Sequence, residues 1–372
     1  MLKNHHSWLN LVGKTVFIIT IFGLFGCAVE QTKTVFKIPV YPAPPEEARF
    51  YYETTLTSSI DVIPDKDDFQ MKALLTGAVR SGQGMSKPYD VSVYQGAVYV
   101  SDPVSRQILV FDKVGKKFFK IGNKAPGKLR KPFGIDQDKD GNLYVIDVQK
   151  KIAFIYDKDG IFIGNVGSED MFDRPTGIAV TADGTRLFIS DAGGVSSERH
   201  QIRVFDVKSG KHLFDIGKRG KKDGEFNLPK GITLNSVDGL LYVVDSANFR
   251  VQAFDTKDGK YIKQFGEIGR YPGKFARPKD ISSDKQGNVY VTDAAFGNFQ
   301  IFNTKGQLLL FVGTRGKDNE PGKYMLPSGI DVDEDGRVLM ADQFFQKVDI
   351  YRPAALKSAD GYLGTKKAKE KK

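Results

Sequence analysis

The sequence predicts an all-β fold, a six-bladed β-propeller of four-stranded antiparallel blades, closed by an N-terminal strand that completes the last blade. Three observations carry this expectation. One phrase recurs six times, the copies have the length of a propeller blade, and turn-forming glycines separate short aromatic and β-branched runs. Gly (39), Phe (27) and Tyr (15) are abundant among the 372 residues, as many short strands joined by tight turns require.

The recurring phrase is Pro-x-x-Ile/Val, a Gly-containing turn, Leu/Val-Tyr-Val-x-Asp, a linker, Ile-x-x-Phe-Asp, a second turn and an apolar run ending in Gly. Its anchor prolines are Pro88, Pro132, Pro175, Pro229, Pro278 and Pro327, spaced by 44, 43, 54, 49 and 49 residues. Strand A of each blade follows the proline, which lacks an N–H and suits a first strand residue. Strand B is the Tyr-Val-x-Asp run, as at Leu143 to Ile146, and strand C the Ile-x-x-Phe run, as at Val251 to Phe254. Strand D is the apolar run, as at Tyr261 to Gly266. Turns such as Asp159-Gly160 and Asp258-Gly259 supply positive φ between antiparallel neighbours.

The sixth copy stops after strand C at Tyr351, whereas Arg49 to Thr57 is a strand-like run ahead of the first copy. Pairing this run on the outside of blade six closes the ring and protects an open edge. Residues 58–87 then link it to blade one. The phrases Pro-x-Gly-Ile, Gly-Asn-x-Tyr-Val-x-Asp and Arg-x-x-x-Phe-Asp resemble the NHL repeat over about residues 49–352. The resemblance implies an NHL-repeat six-bladed propeller in its bacterial lipoprotein form. Function does not follow from such a fold.

Residues 1–14 carry Lys3 and Lys14 without an acid, and Thr15 to Phe25 is an apolar run of 11 residues. That length fits the core of a signal peptide and is too short for a spanning helix. The following Leu24-Phe25-Gly26-Cys27 resembles a bacterial lipobox, with Phe25 bulkier than the pattern's usual residue. The resemblance implies a cleaved signal peptide over 1–26, a lipid on Cys27 and, with Ala28 rather than Asp next, the outer membrane of a Gram-negative bacterium. Residues 27–48, with Pro39, Pro42, Pro44 and Pro45, read as an extended tether. The propeller is expected over 49–353 and a basic disordered tail over 354–372.

A single cysteine excludes internal disulfides and thiolate metal centres. Much of the net charge of +10 lies in the two ends, so nucleic acid is disfavoured as a partner. Peptide-amidating lyases, which share the resemblance, hold zinc with several histidines. Here only His200 and His212 lie outside the signal peptide, both in blade three. Gluconolactonase-type propellers bind calcium at the channel. In this chain the corresponding position is Gly134, Gly177, Gly231 and Gly329, with Asp90 and Asp280 as the two departures. These two carboxylates are expected at one channel mouth, either sharing a Ca²⁺ ion or capping backbone N–H groups. The strand-B aspartates, one per blade, read as structural.

The D-to-A and B-to-C loops emerge on one face and collect Lys124, Lys128, Arg130, Arg219, Lys221, Arg250, Arg270 and Arg315. Phe249, Phe296 and Phe344 share that face, and blade three adds five residues there within Gly193 to Gln201, a stretch that contains His200. The opposite face gathers Asp136, Asp138, Asp331, Asp333 and Glu334. Polarised faces steer partners. The expected function is therefore a non-catalytic, monomeric interaction module, lipid-anchored in the envelope and docking other envelope proteins. The alternatives are a lyase or lactonase with a channel-mouth metal, and a binder of an anionic glycan.

Overall fold

Pro132, Pro175, Pro229, Pro278 and Pro327 each open the innermost strand of a sheet, while in blade one that strand begins two residues after Pro88, at Asp90. The computed structural model describes residues 38–65 and 69–364. In blades one to five the four strands run antiparallel in chain order, from the channel outward. Inner strands Asp90–Tyr94, Pro132–Gln137, Pro175–Val180, Pro229–Leu234, Pro278–Ser283 and Pro327–Val332 each touch their two neighbours, so the ring is closed. The strands next to them are buried throughout most of their length, as at Leu143–Asp147, whereas outer strands alternate, as at His212–Ile216. A sheet packed on both faces inside and wetted at its rim produces this gradient.

Close approach of the inner strands explains the glycine of Pro-x-Gly-Ile. A Cβ on Gly177 would lie 2.3 Å from the Lys230 carbonyl oxygen, and one on Gly134 would lie 2.6 Å from that of Thr176. Asp90 and Asp280 replace this glycine in blades one and five, each packed where a Cβ on the preceding blade's Gly329 or Gly231 would lie.

Blade six is completed as the sequence predicts. Strand β2 (Phe50–Leu56), preceded by β1 (Val40–Tyr41), lies antiparallel on Lys347–Pro353, with Phe50 opposite Pro353 and Leu56 opposite Val348. Two boundaries differ from the sequence expectation. The end of the expected tether is folded, because β1 adds a fifth strand and Tyr41 packs edge-on against Tyr351 at 5.8 Å. Burial raises the Tyr41 phenol to about 12. The start of the expected tail is folded too, because Leu363 enters the core between blades six and one and the Tyr362 N–H donates to Asp335 at 2.7 Å. Single apolar anchors in otherwise polar or proline-rich segments gave both away only in three dimensions. The expected signal peptide, the expected lipid site at Cys27 and residues 365–372 lie outside the described residues.

Arg337 ties these ends together. It is fully buried; its Nε donates to Glu53 Oε2 of β2 at 2.7 Å and its Nη2 to the Asp360 carbonyl at 2.9 Å. Removing one partner of a buried ion pair strands the other charge. Glu53→Ala is therefore expected to destabilise the protein by about 3–5 kcal/mol, measured by denaturant unfolding, whereas an exposed change such as Lys128→Ala leaves the midpoint unmoved.

Candidate functional site

Six buried carboxylates hold the loops of one face. Asp102, Asp147, Asp191, Asp245, Asp293 and Asp342 are all 0% exposed at the ends of the second strands. In four blades the geometry repeats closely. Asp293 Oδ2 accepts the N–H groups of Ala276 and Arg277, and its Oδ1 those of Ala295 and Phe296. Asp102 binds Ser86 and Lys87 with one oxygen, Val104 and Ser105 with the other. Asp191 accepts from Asp173 and Arg174. Each carboxylate thus staples the loop entering its blade to the B-to-C loop, satisfying N–H groups that would otherwise be buried without partners. The structural role expected for these residues holds. In every blade but the fourth the staple also fixes the residue just before the proline, and in blades one, two, three and five that residue is Lys87, Lys131, Arg174 or Arg277.

The consequence is a cationic channel mouth. A cavity of about 420 Å³ opens there, lined by Lys87, Arg174, Lys230, Arg277 and Lys279. Among the described residues none of these five head groups has an ion pair or a side-chain hydrogen bond. Burial, then the Arg277 and Arg174 charges, lowers the Lys230 ammonium to about 8. Burial, then Lys230 and Arg277, lowers Lys279 to about 7. Across the cavity Tyr89 and Phe133 stack with centroids 4.0 Å apart and planes 20° from parallel. Gln343 also lines the cavity.

Below the mouth stand four carboxyls, each stitching one inner strand to the next. Asp90 Oδ2 accepts the Ile135 N–H at 2.9 Å, and Asp280 Oδ2 the Ile330 N–H at 3.0 Å. Asp136 accepts from Val180 at 2.8 Å, and Asp331 from Val93 at 2.9 Å and from the Ser282 hydroxyl at 2.9 Å. Asp90 and Asp280 also meet each other. Burial pushes both above the usual carboxylate range, and the neighbouring Asp280 charge pushes Asp90 further. Burial raises Asp136 to about 7, and burial with the Asp136 charge raises Asp331 to about 8.

The sequence expectation for Asp90 and Asp280 divides here. They do converge at the channel, and they do cap backbone N–H groups. A Ca²⁺ ion takes six to eight oxygen ligands, and one oxygen of each of these carboxylates already accepts an N–H of the next inner strand. Among the described residues no three His, Cys, Asp or Glu side chains are grouped to hold a metal.

Lys124, Lys128, Arg130, Lys221, Arg270 and Arg315 are exposed on the loop face as expected. Arg250 is not available there. It is buried, with Nε donating to Asp245 at 2.8 Å and Nη2 to the Lys222 and Glu225 carbonyls, so it completes the blade-four staple. His200 is 1% exposed; its Nδ1 accepts the Leu228 N–H at 3.2 Å and its Nε2 faces the Gly194 carbonyl at 3.1 Å. Together with Arg219, which donates to the Val195 and Ser197 carbonyls, His200 bolts the blade-three insertion to blade four. Phe249 and Phe296 are half-buried, Phe249 against the core between blades four and five. Phe344 is exposed, with Phe345 edge-on at 5.2 Å. On the opposite face Asp138 and Asp333 are buried, each accepting N–H groups of its own turn, so that face is less acidic at its surface than its composition suggests. The inner cations Lys87, Arg174, Lys230 and Lys279 were not singled out from sequence. The available signal was the second position of the phrase, where Lys230 and Lys279 stand against Tyr89, Phe133, Thr176 and Ser328.

A sequence family described as a 6-bladed β-propeller matches residues 230–295. Several solved structures share the fold at low identity. A gluconolactonase from Xanthomonas campestris is 15% identical over 81% of this chain and 98% of its own, with a TM-score of 0.57. A Bacteroides thetaiotaomicron protein of unknown function is 17% identical over 80% of this chain and 75% of its own, with a TM-score of 0.56. An inactive variant of virginiamycin B lyase from Staphylococcus aureus, solved with quinupristin, is 16% identical over 75% of this chain and 85% of its own, with a TM-score of 0.52. The chain is a six-bladed β-propeller of four-stranded antiparallel blades.

The channel carboxyls generate a pH signature. Asp136 and Asp331 keep their protons in the folded state up to about 7 and about 8, while unfolded carboxyls release them near about 4. Between those limits the folded state binds more protons, so their contribution favours folding at the acid end and is lost as pH rises through 7 and 8. Asp331→Asn retains an acceptor for the Val93 N–H. It is expected to melt above the wild type at pH 8, with the difference vanishing toward pH 5, as followed by thermal denaturation across that range.

Proposed function

We propose that this chain is a non-catalytic binding propeller of the cell envelope, held to the outer membrane through a lipid on Cys27, that docks an acidic partner protein on its basic loop face. One observation carries the reading: five cations converge on the channel mouth without ion-pair or side-chain hydrogen-bond partners among the described residues, and exposed Lys128, Arg130, Lys221 and Arg270 extend the same charge over the surrounding loops. A surface that gathers uncompensated charge raises the encounter rate with an oppositely charged partner. Exposed Phe344, with half-buried Phe345 edge-on behind it, supplies the apolar contact that a charged rim alone lacks.

A second reading, an acid–base enzyme of the lyase or lactonase kind named for similar propellers, is favoured by the buried Asp90 and Asp280 carboxyls, both pushed above the usual carboxylate range at the cavity. Lactone hydrolysis by the purified protein that is abolished in Asp280→Asn would support it over docking.

The docking reading is tested by cross-linking in intact cells with Lys128→Glu, Arg130→Glu and Lys221→Glu combined. The wild type is expected to yield a discrete cross-linked envelope partner, and the triple variant to lose it by about tenfold or more at an unchanged melting temperature. Equal recovery from both proteins would overturn the reading.

A further inference from the structure

We propose that the channel mouth is a binding site for a small anionic saccharide, a sugar ring bearing a phosphate or carboxylate group. The assignment goes beyond the docking reading and stands on separate residues. Its cavity of about 420 Å³ has the size of a small-ligand pocket, and its walls divide into three chemistries.

The first wall is cationic. Arg174, Lys230, Arg277 and Lys279 come from blades three to five, and Lys87 reaches in from blade one. These charges are held in mutual repulsion by a rigid frame, since the Asp102, Asp191 and Asp293 staples fix the backbone of Lys87, Arg174 and Arg277. An anion placed among them relieves that repulsion and replaces lost water with charge-assisted hydrogen bonds. The energy needed to assemble the cations is already met by folding, so binding does not bear it.

The second wall is the stacked Tyr89 and Phe133 pair on blades one and two, opposite the cations of blades four and five. It offers an apolar face to one side of a ring whose charged group points the other way. The floor is the Asp90 and Asp280 pair, with Asp136 and Asp331 also lining the cavity, and burial pushes all four toward the protonated form, in which a carboxyl both donates and accepts. The Gln343 amide, which has no side-chain partner among the described residues, adds both again. Hydroxyl groups need such mixed partners. A purely apolar anion would leave the floor without partners, and a neutral sugar would leave the cations unrelieved.

Lys279 faces Lys230, Arg277, Lys87, Asp280 and Asp342, and Lys230 faces Arg277 and Arg174. Burial and like charge hold the two ammonium groups near 7 and 8. A bound anion raises both, so binding takes up protons.

The test is isothermal titration of the full-length protein in detergent, at low ionic strength and pH 8, with glucose 6-phosphate, glucuronate, glucose and inorganic phosphate. At least one of the two anionic sugars is expected to saturate the protein below about 10 mM, more tightly than inorganic phosphate, with glucose silent. Repetition in buffers of different ionisation enthalpy is expected to show uptake of roughly one proton per ligand. Lys230→Gln combined with Lys279→Gln is expected to weaken binding by about 100-fold, the loss of two charge-assisted hydrogen bonds, and to abolish the uptake. Thermal melting monitors the fold of that variant, and Arg277→Gln provides an independent second one. No saturable binding by either anionic sugar would overturn the site, as would wild-type affinity in folded variants. Inorganic phosphate binding as tightly as the sugars would overturn the saccharide class. The outer variant carrying Lys128→Glu, Arg130→Glu and Lys221→Glu is expected to keep sugar binding, so loss of partner cross-linking and loss of this site are read separately.

Discussion

The interaction on which the rest of this molecule depends is the carboxylate staple at the end of each second strand. A propeller blade delivers two loops to the same rim from opposite ends of its chain segment, and both arrive with backbone N–H groups pointing inward. One buried aspartate accepts from both loops at once, and repetition around the ring converts six independent sheets into one ordered face. A carboxylate so deeply buried is tolerable because each of its oxygens receives hydrogen bonds. In blade four the pattern changes: Arg250, Asn248 and Gln252 all reach Asp245, and the staple becomes a buried side-chain network.

The same device that builds the face charges its centre. Because the stapled residue before the proline is lysine or arginine in four blades, and in three of them lines the cavity, backbone order at the rim is inherited by cations at the mouth. Lys230 and Lys279 add to them from the following turn of chain, and their lowered proton affinity records how closely the charges are held. Beneath them, carboxyls of four inner strands use N–H groups of adjacent blades as partners. The channel is therefore cationic at its mouth and lined by carboxyls driven toward neutrality below it, an axial polarity generated by structural hydrogen bonding rather than by surface composition.

Closure imposes the second constraint. The ring would end on the exposed edge of Lys347–Pro353 were β2 not paired there. The chain ends contribute more than that strand, because Arg337 is enclosed by Glu53 from one end and by carbonyls from the other. A buried guanidinium has many donors to satisfy, so it recruits segments that composition alone marks as linker and tail.

The sequence by itself determined the architecture: blade number, strand order, the pairing of Arg49 to Thr57 on the last blade and the structural role of the repeated aspartates. Those features are written six times over, and repetition separates what every blade needs from what one blade adds. It also brought Asp90 and Asp280 to notice as departures from a glycine. Tertiary structure alone decided which charges are free. Arg250 and His200 belong to loops of the basic face, yet their partners, Asp245 and the Leu228 N–H, turn them inward. Lys87, Arg174, Lys230 and Lys279 are scattered between positions 87 and 279 among ordinary lysines and arginines, and only the ring brings them to one cavity. Repeat logic fixes what lies within a blade; a site at the axis is made between blades, where contacts join residues that no sequence period relates.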